Sequence, residues 1–163
     1  MERVLSLQGT SDIAFHLPKL EVLAMECEVV LELGTRGGES TRALLAGAGK
    51  VISVDIDRCD VPGFANWDFR QQDSREEVVD EFDGLFIDSL HTFSHALEEL
   101  RVHGKRAKKW ITLHDTWLYG LRGEDGTSPG LEAAIAEFVK GNPEWQVSEV
   151  SPENNGLTIL RRQ

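Results

Sequence analysis

Short apolar runs alternate with amphipathic stretches along the whole chain, with no repeat and no low-complexity tract. That alternation predicts an α/β sheet in which strands and helices take turns. EVVLELG (28–34), KVISVDID (50–57), WDFRQQD (67–73), GLFIDSL (84–90) and KWITLHD (109–115) read as strands. The Val and Ile content of 50–57 suits a strand covered on both faces. Residues 11–26 read as helical, with Ser11 or Asp12 as the cap and Pro18 opening a further turn. A second helix is expected near 39–47, and CDVPGFANW is a loop or short helix. SREEVVDEF (74–82) reads as a helix opened by Ser74, with acids in its first turn.

Phe93, Leu97 and Leu100 make one apolar stripe on a helix over 91–107. Leu131, Ala134, Ile135, Phe138 and Val139 make another. Between them, GLRGEDGTSPG (120–130) carries four glycines and a proline and predicts a mobile loop. WQVSEV and LTILRR, split by SPENNG, predict a terminal antiparallel hairpin. The sum is seven strands, five of them in βα units, in one domain over 1–163.

Composition narrows the classes. At 163 residues the chain suits a single domain with a full core. Seventeen basic residues against 28 acidic give a net charge of −11, which disfavours a nucleic acid or an anionic membrane as partner. No apolar run reaches the length of a membrane span, and MERVLSLQGTSD lacks the shape of a signal peptide. Cys27 and Cys59 form neither a disulfide framework nor a metal spacing. A cytoplasmic protein with reduced thiols is expected.

The chemistry concentrates at strand ends. ELGTRGGEST places Gly34, Gly37 and Gly38 between a strand and a helix, so that the chain can turn sharply and come close to a ligand. It is not a P-loop, and Arg36 breaks the GxGxxG pattern. Asp55 follows about 20 residues past Gly34, the interval at which an acid bonds ribose hydroxyls in nucleotide-binding sheets. Asp55, Asp73, Asp88 and Asp115 each end a predicted strand, and Glu32 lies inside the first. In a parallel sheet those ends share one edge, and ligands bind outside it. Acidic walls suit a cation, a hydroxyl-rich ligand or a metal ion, and suit a pyrophosphate poorly, which argues against NAD. Asp88 with His91, and His114 with Asp115, could bind a divalent metal or form an acid–base pair without one. His91 and His95 lack the HExxH pattern of zinc enzymes. His16 and His103 read as solvated, and the four tryptophans as core or pocket wall.

These segments resemble class I S-adenosylmethionine-dependent methyltransferases. ELGTRGGEST is similar to the first motif of the small-molecule O-methyltransferase branch. LFIDSLHTFSHALEEL followed by KKWITLHDT resembles the signatures of the cephalosporin-hydroxylase-like and sugar or macrolide O-methyltransferase group. The likeness spans about residues 11–160, and compact relatives occur in phage genomes. It implies a Rossmann-like methyltransferase fold: a mostly parallel seven-stranded sheet, helices on both faces and the terminal hairpin. It also implies that Glu32, Gly34, Thr35, Arg36 and Gly38 form the cofactor turn, with Ser40 near the cofactor carboxylate. Asp55 would hold the ribose, Gln72 and Asp73 would flank the adenine, and Asp88 would lie between methionine and acceptor. His91 is the implied base. Asp88, His114 and Asp115 occupy the positions that hold magnesium in metal-dependent relatives, although His114 and Leu90 depart from that pattern.

Methyl transfer needs alignment and removal of a hydroxyl proton, and carboxylates favour the cationic sulfonium. The expected activity is O-methylation of a small molecule or sugar. A non-catalytic S-adenosylmethionine-binding module and an NAD-dependent oxidoreductase are the alternatives. Relatives often carry longer N-terminal segments over the acceptor. An open site, a large acceptor or a second subunit's lid is therefore expected, with a homodimer as the assembly and 120–130 as the lid within the chain.

Overall fold

The computed structural model describes residues 11–78 and 80–163. Residues 1–10, where the leader reading falls, and Val79 lie outside it. Seven strands form one sheet: β1 (Val29–Leu33), β2 (Lys50–Asp55), β3 (Trp67–Gln71), β4 (Gly84–Ile87), β5 (Trp110–His114), β6 (Trp145–Ser151) and β7 (Leu157–Arg162). Their order is β3-β2-β1-β4-β5-β7-β6. The first five are parallel, and β7 runs antiparallel between β5 and β6. The expected architecture is thus the observed one.

Two helical layers cover the sheet. Helices α1 (Leu17–Ala24) and α2 (Glu39–Gly47) pack on one face, and α3 (Phe93–Val102) and α4 (Leu131–Gly141) on the other. The alternation of β1 decides which side chain meets which layer. Leu31 and Leu33 join the α3/α4 core, whereas Val30 joins the α1/α2 core. Glu32 shares the face of Val30 and so points at α2. None of the helices among the described residues is long and apolar enough to cross a membrane.

Several expectations need correction. The N-terminal helix is shorter than 11–26: a 3-10 turn at Ala14–His16 leads into α1, and neither Ser11 nor Asp12 caps it. Pro18 does sit in the first turn of α1. No helix forms over 74–82 among the described residues. The chain there must travel from edge strand β3 past β2 and β1 to β4, roughly 14 Å sideways, as well as back along the sheet. A nine-residue helix advances only about 13 Å. Val78 and Phe82 are still buried, and the Arg106 guanidinium donates to the carbonyls of Val78 and Asp80. Among the described residues, only β1, β4 and β5 lead into helices. His16 and His103 are buried, each with Nε2 against a backbone carbonyl, of Glu153 and Ser74 respectively. Trp110 and Trp145 are core, while Trp117 is exposed.

Candidate active site

The sheet order reverses between β1 and β4, and at that switch point a crevice opens beyond the strand ends. Gly34 follows β1 there with φ +90°, and a Cβ on it would lie 2.2 Å from the Asp88 carbonyl oxygen. Only glycine allows the two strand ends to meet this closely. The cleft holds about 170 Å³ and is lined by the turn at 34–37, Glu39, Ser40, Asp88, Ser89, His91, Asp115 and Ile13. It therefore gathers Gly34, Thr35, Arg36, Ser40, Asp88, His91 and Asp115 from the sequence reading.

Asp55 sits behind the turn. Its Oδ2 accepts from the Thr35 amide at 2.7 Å, the Thr35 hydroxyl at 3.0 Å and the Arg36 amide at 3.2 Å. Burial would raise its pKa, but these donors and the Asp57 amide outweigh it and hold the carboxyl below its ordinary value. Gln72 is adjacent, its backbone N–H donating to the Asp55 carbonyl. Glu32 does not face the cleft. It is fully buried and accepts from the hydroxyls of Ser40 (2.6 Å), Thr41 (2.8 Å) and Ser53 (2.6 Å). It ties the strand to the first turn of α2. Gly38 takes φ +74°, and Val61 fills the space a side chain would need, so its glycine serves the backbone and packing. Asp73 lies on a neighbouring depression, with its carboxylate clasped by Arg75. That guanidinium holds the Asp73 carboxyl well below the usual range.

The reactive cluster comes from three segments. Asp88 follows β4, His91 precedes α3, and His114 and Asp115 close β5. Asp88 Oδ1 lies 3.3 Å from both His91 Nε2 and His114 Nδ1. His91 Nε2 is also 3.1 Å from Asp115 Oδ2. Burial pushes the Asp88 carboxyl up, but the two imidazoles outweigh it and bring it down to about 2. Burial pushes His91 down, while Asp88, Glu124 and Asp115 together raise it to about 9. Asp115 is pushed upward, chiefly by burial, and takes a left-handed φ of 59°. Such strain in a non-glycine residue is concentrated at functional sites.

The same residues can hold a cation. One donor atom from each of Asp88, His114 and Asp115 falls within 4.8 Å of the others. His114 Nε2 faces the carbonyls of Asp12 and Asn154 and must donate to them, which turns Nδ1 toward the two acids. An imidazole fixed from behind in this way is characteristic of metal ligands. Asp115 Oδ1 is buried without a hydrogen-bond partner, as a carboxylate awaiting a ligand would be. The nitrogen donor shifts preference from magnesium toward manganese, iron or zinc.

One participant was not foreseen. Glu124 Oε2 lies 2.8 Å from His91 Nδ1. The 120–130 loop that carries it folds back onto 91–93 through backbone hydrogen bonds, and an Arg122–Pro129 bridge closes it. A segment expected to be mobile is thus tethered to the cluster. No sequence motif marks Glu124, and only the identification of His91 as a base could have prompted a search for its partner.

No protein-family model matches the sequence, and neither does any curated protein. Solved structures do match. The N-methyltransferase NodS of Bradyrhizobium japonicum WM9 is 14% identical, with a TM-score of 0.68 over 96% of this chain and 99% of that one. The O-methyltransferase of Bacillus cereus, solved with S-adenosylhomocysteine, is 17% identical with a TM-score of 0.64 over 98% and 84%. The Podospora anserina methyltransferase PaMTH1, also bound to S-adenosylhomocysteine, is 16% identical with a TM-score of 0.63 over 89% and 76%. The chain has the class I methyltransferase fold. At these identities the fold is what is shared, and the class I fold puts the cleft between β1 and β4 at the sheet edge where such folds bind ligands.

Proposed function

We propose that the protein is an S-adenosylmethionine-dependent methyltransferase acting on a hydroxyl of a small molecule or sugar. The observation that carries this reading is the cleft at the β1/β4 switch point, with His91 Nε2 directed at Asp88 and Asp115 inside it. The turn at 34–37 and Asp55 behind it would seat the nucleoside and methionine parts. The acids would favour the sulfonium over its neutral product. In the transfer, the acceptor oxygen attacks the methyl carbon in line, the carbon–sulfur bond breaks with its electron pair on sulfur, and His91 Nε2 takes the hydroxyl proton. His91 must be neutral to do so. Asp88 and Asp115 would hold a cation between them, and its charge would offset their field at His91. Asp88, His114 and Asp115 would hold a divalent ion, which lowers the pKa of a hydroxyl it touches.

The likeness to NodS raises N-methylation as a second reading. An acidic cleft keeps an amine protonated, and a cation held by Asp88, His114 and Asp115 would lower the pKa of a hydroxyl, which supports the hydroxyl reading. Calorimetry with S-adenosylhomocysteine and NAD tests the proposal. One S-adenosylhomocysteine should bind per chain and NAD should not. Asp55→Ala should weaken binding at least tenfold, whereas His91→Ala should leave it within threefold. Binding of NAD, or no binding of S-adenosylhomocysteine, would overturn the reading.

A further inference from the structure

We infer that Glu124 is a positioning residue that fixes the imidazole of His91 from behind, so that Nε2 is presented to the cleft as the proton acceptor. The inference rests on the methyl-transfer reading of His91. Four observations carry it. The carboxylate is 2.8 Å from Nδ1, on the ring edge opposite Nε2. The contact is two-point, because the Glu124 amide also donates to the His91 carbonyl at 3.0 Å. Glu124 lies outside the Asp88, His114 and Asp115 donor set, so its hold on the ring survives when a cation or acceptor engages those residues. Finally, Tyr119 stacks on the imidazole at 5.2 Å and 16° between planes, so the ring is held on its face by Tyr119 and at Nδ1 by Glu124.

The loop is built to deliver this carboxylate. Asp125 Oδ1 accepts from the Thr127 and Ser128 amides and closes a tight turn just after Glu124. A Cβ at Gly123 would lie 3.2 Å from the His91 carbonyl and 2.4 Å from the Ser128 hydroxyl, which would have to turn away, so glycine eases this close approach. The Phe93 amide donates to the Pro129 carbonyl, so the loop is pinned at His91 and again two residues beyond it. A base whose rear nitrogen is oriented by a carboxylate is a recurring catalytic arrangement.

Nuclear magnetic resonance of protein labelled with 15N-histidine tests the inference, with the His91 signals assigned by their loss in His91→Gln. The wild type should show a slowly exchanging, far-downfield Nδ1 proton. Glu124→Gln should move it upfield, because the bond is no longer charge-assisted, and Glu124→Ala should lose it. S-adenosylhomocysteine affinity should stay within threefold in both variants. An unchanged Nδ1 proton in Glu124→Ala would overturn the inference. So would a tenfold loss of affinity with the ring signal intact, since that assigns Glu124 a purely structural role. If S-adenosylhomocysteine fails to bind the wild type, the catalytic purpose falls with the methyl-transfer reading, while the ring signal separately decides whether Glu124 holds His91.

Discussion

Glu32 shows how a single buried side chain can govern the response to pH. Burial pushes its carboxyl up from 4.5 to about 7, although three hydroxyl donors pull against the shift. From pH 4.5 to 7 the unfolded chain ionises this group while the native chain keeps its proton. Unfolding free energy therefore falls as pH rises through that window and stays lowered above it. The full effect is on the order of 3 kcal/mol. Glu32→Gln has no proton to lose. In urea titrations, the stability of the wild type relative to this variant should decline from pH 4.5 to 7; a flat difference would show that Glu32 ionises normally. Residues of this kind were only partly legible. Asp88, His91 and Asp115 could be placed together because ends of parallel strands share an edge, whatever the distance between them in the chain. The role of Glu32 depends on which face of β1 it occupies and on which hydroxyls α2 brings there. Glu124 reaches His91 through a loop, and loop geometry follows from no periodicity.

Elements were legible where a repeat of apolar positions met a layer of the core. Helix α2 falls on the expected 39–47, and α4 buries the stripe of Leu131, Ala134, Ile135 and Phe138. The 74–82 segment failed because Ser74 and the acids after it offered a helix start while the topology demanded reach. The hairpin strands differ in a way their sequences hint at. WQVSEV alternates and lies on the edge, whereas LTILRR carries consecutive apolar residues and lies inside the sheet. Ile159 packs into the α1/α2 core and Leu160 into the α3/α4 core. Ile159→Ala and Leu160→Ala should each cost about 2–5 kcal/mol. Because they enter separate layers, the double variant should equal the sum within about 0.5 kcal/mol. Val150→Ala on β6, where the side chain is mostly exposed, should change stability by less than about 0.5 kcal/mol. Urea unfolding measures all four. A coupling above about 1 kcal/mol between Ile159 and Leu160 would mean that β7 does not separate two independent cores.

At the scale of the whole molecule, the net charge of −11 acts on ligands before they touch the cleft. Around the entrance, Asp88, Asp115, Glu39 and Glu124 outnumber Arg36 and His91, and Arg36 is already paired with Asp12. The local field therefore has the same sign as the global one. S-adenosylmethionine carries a net positive charge through its sulfonium, while S-adenosylhomocysteine is neutral overall. The field should speed association of the first and leave the second nearly unaffected. Screening shortens the reach of this attraction to about 8 Å at physiological ionic strength and to about 3 Å at 1 M salt. In stopped-flow binding, the association rate of S-adenosylmethionine should drop severalfold between low and high salt, and that of S-adenosylhomocysteine should stay within a factor of about two. The dissociation rates should change less, because contacts inside the cleft are screened less than the approach. Equal salt dependence of the two association rates would mean that the acids at the strand ends hold the turn and the histidines together without drawing in the sulfonium.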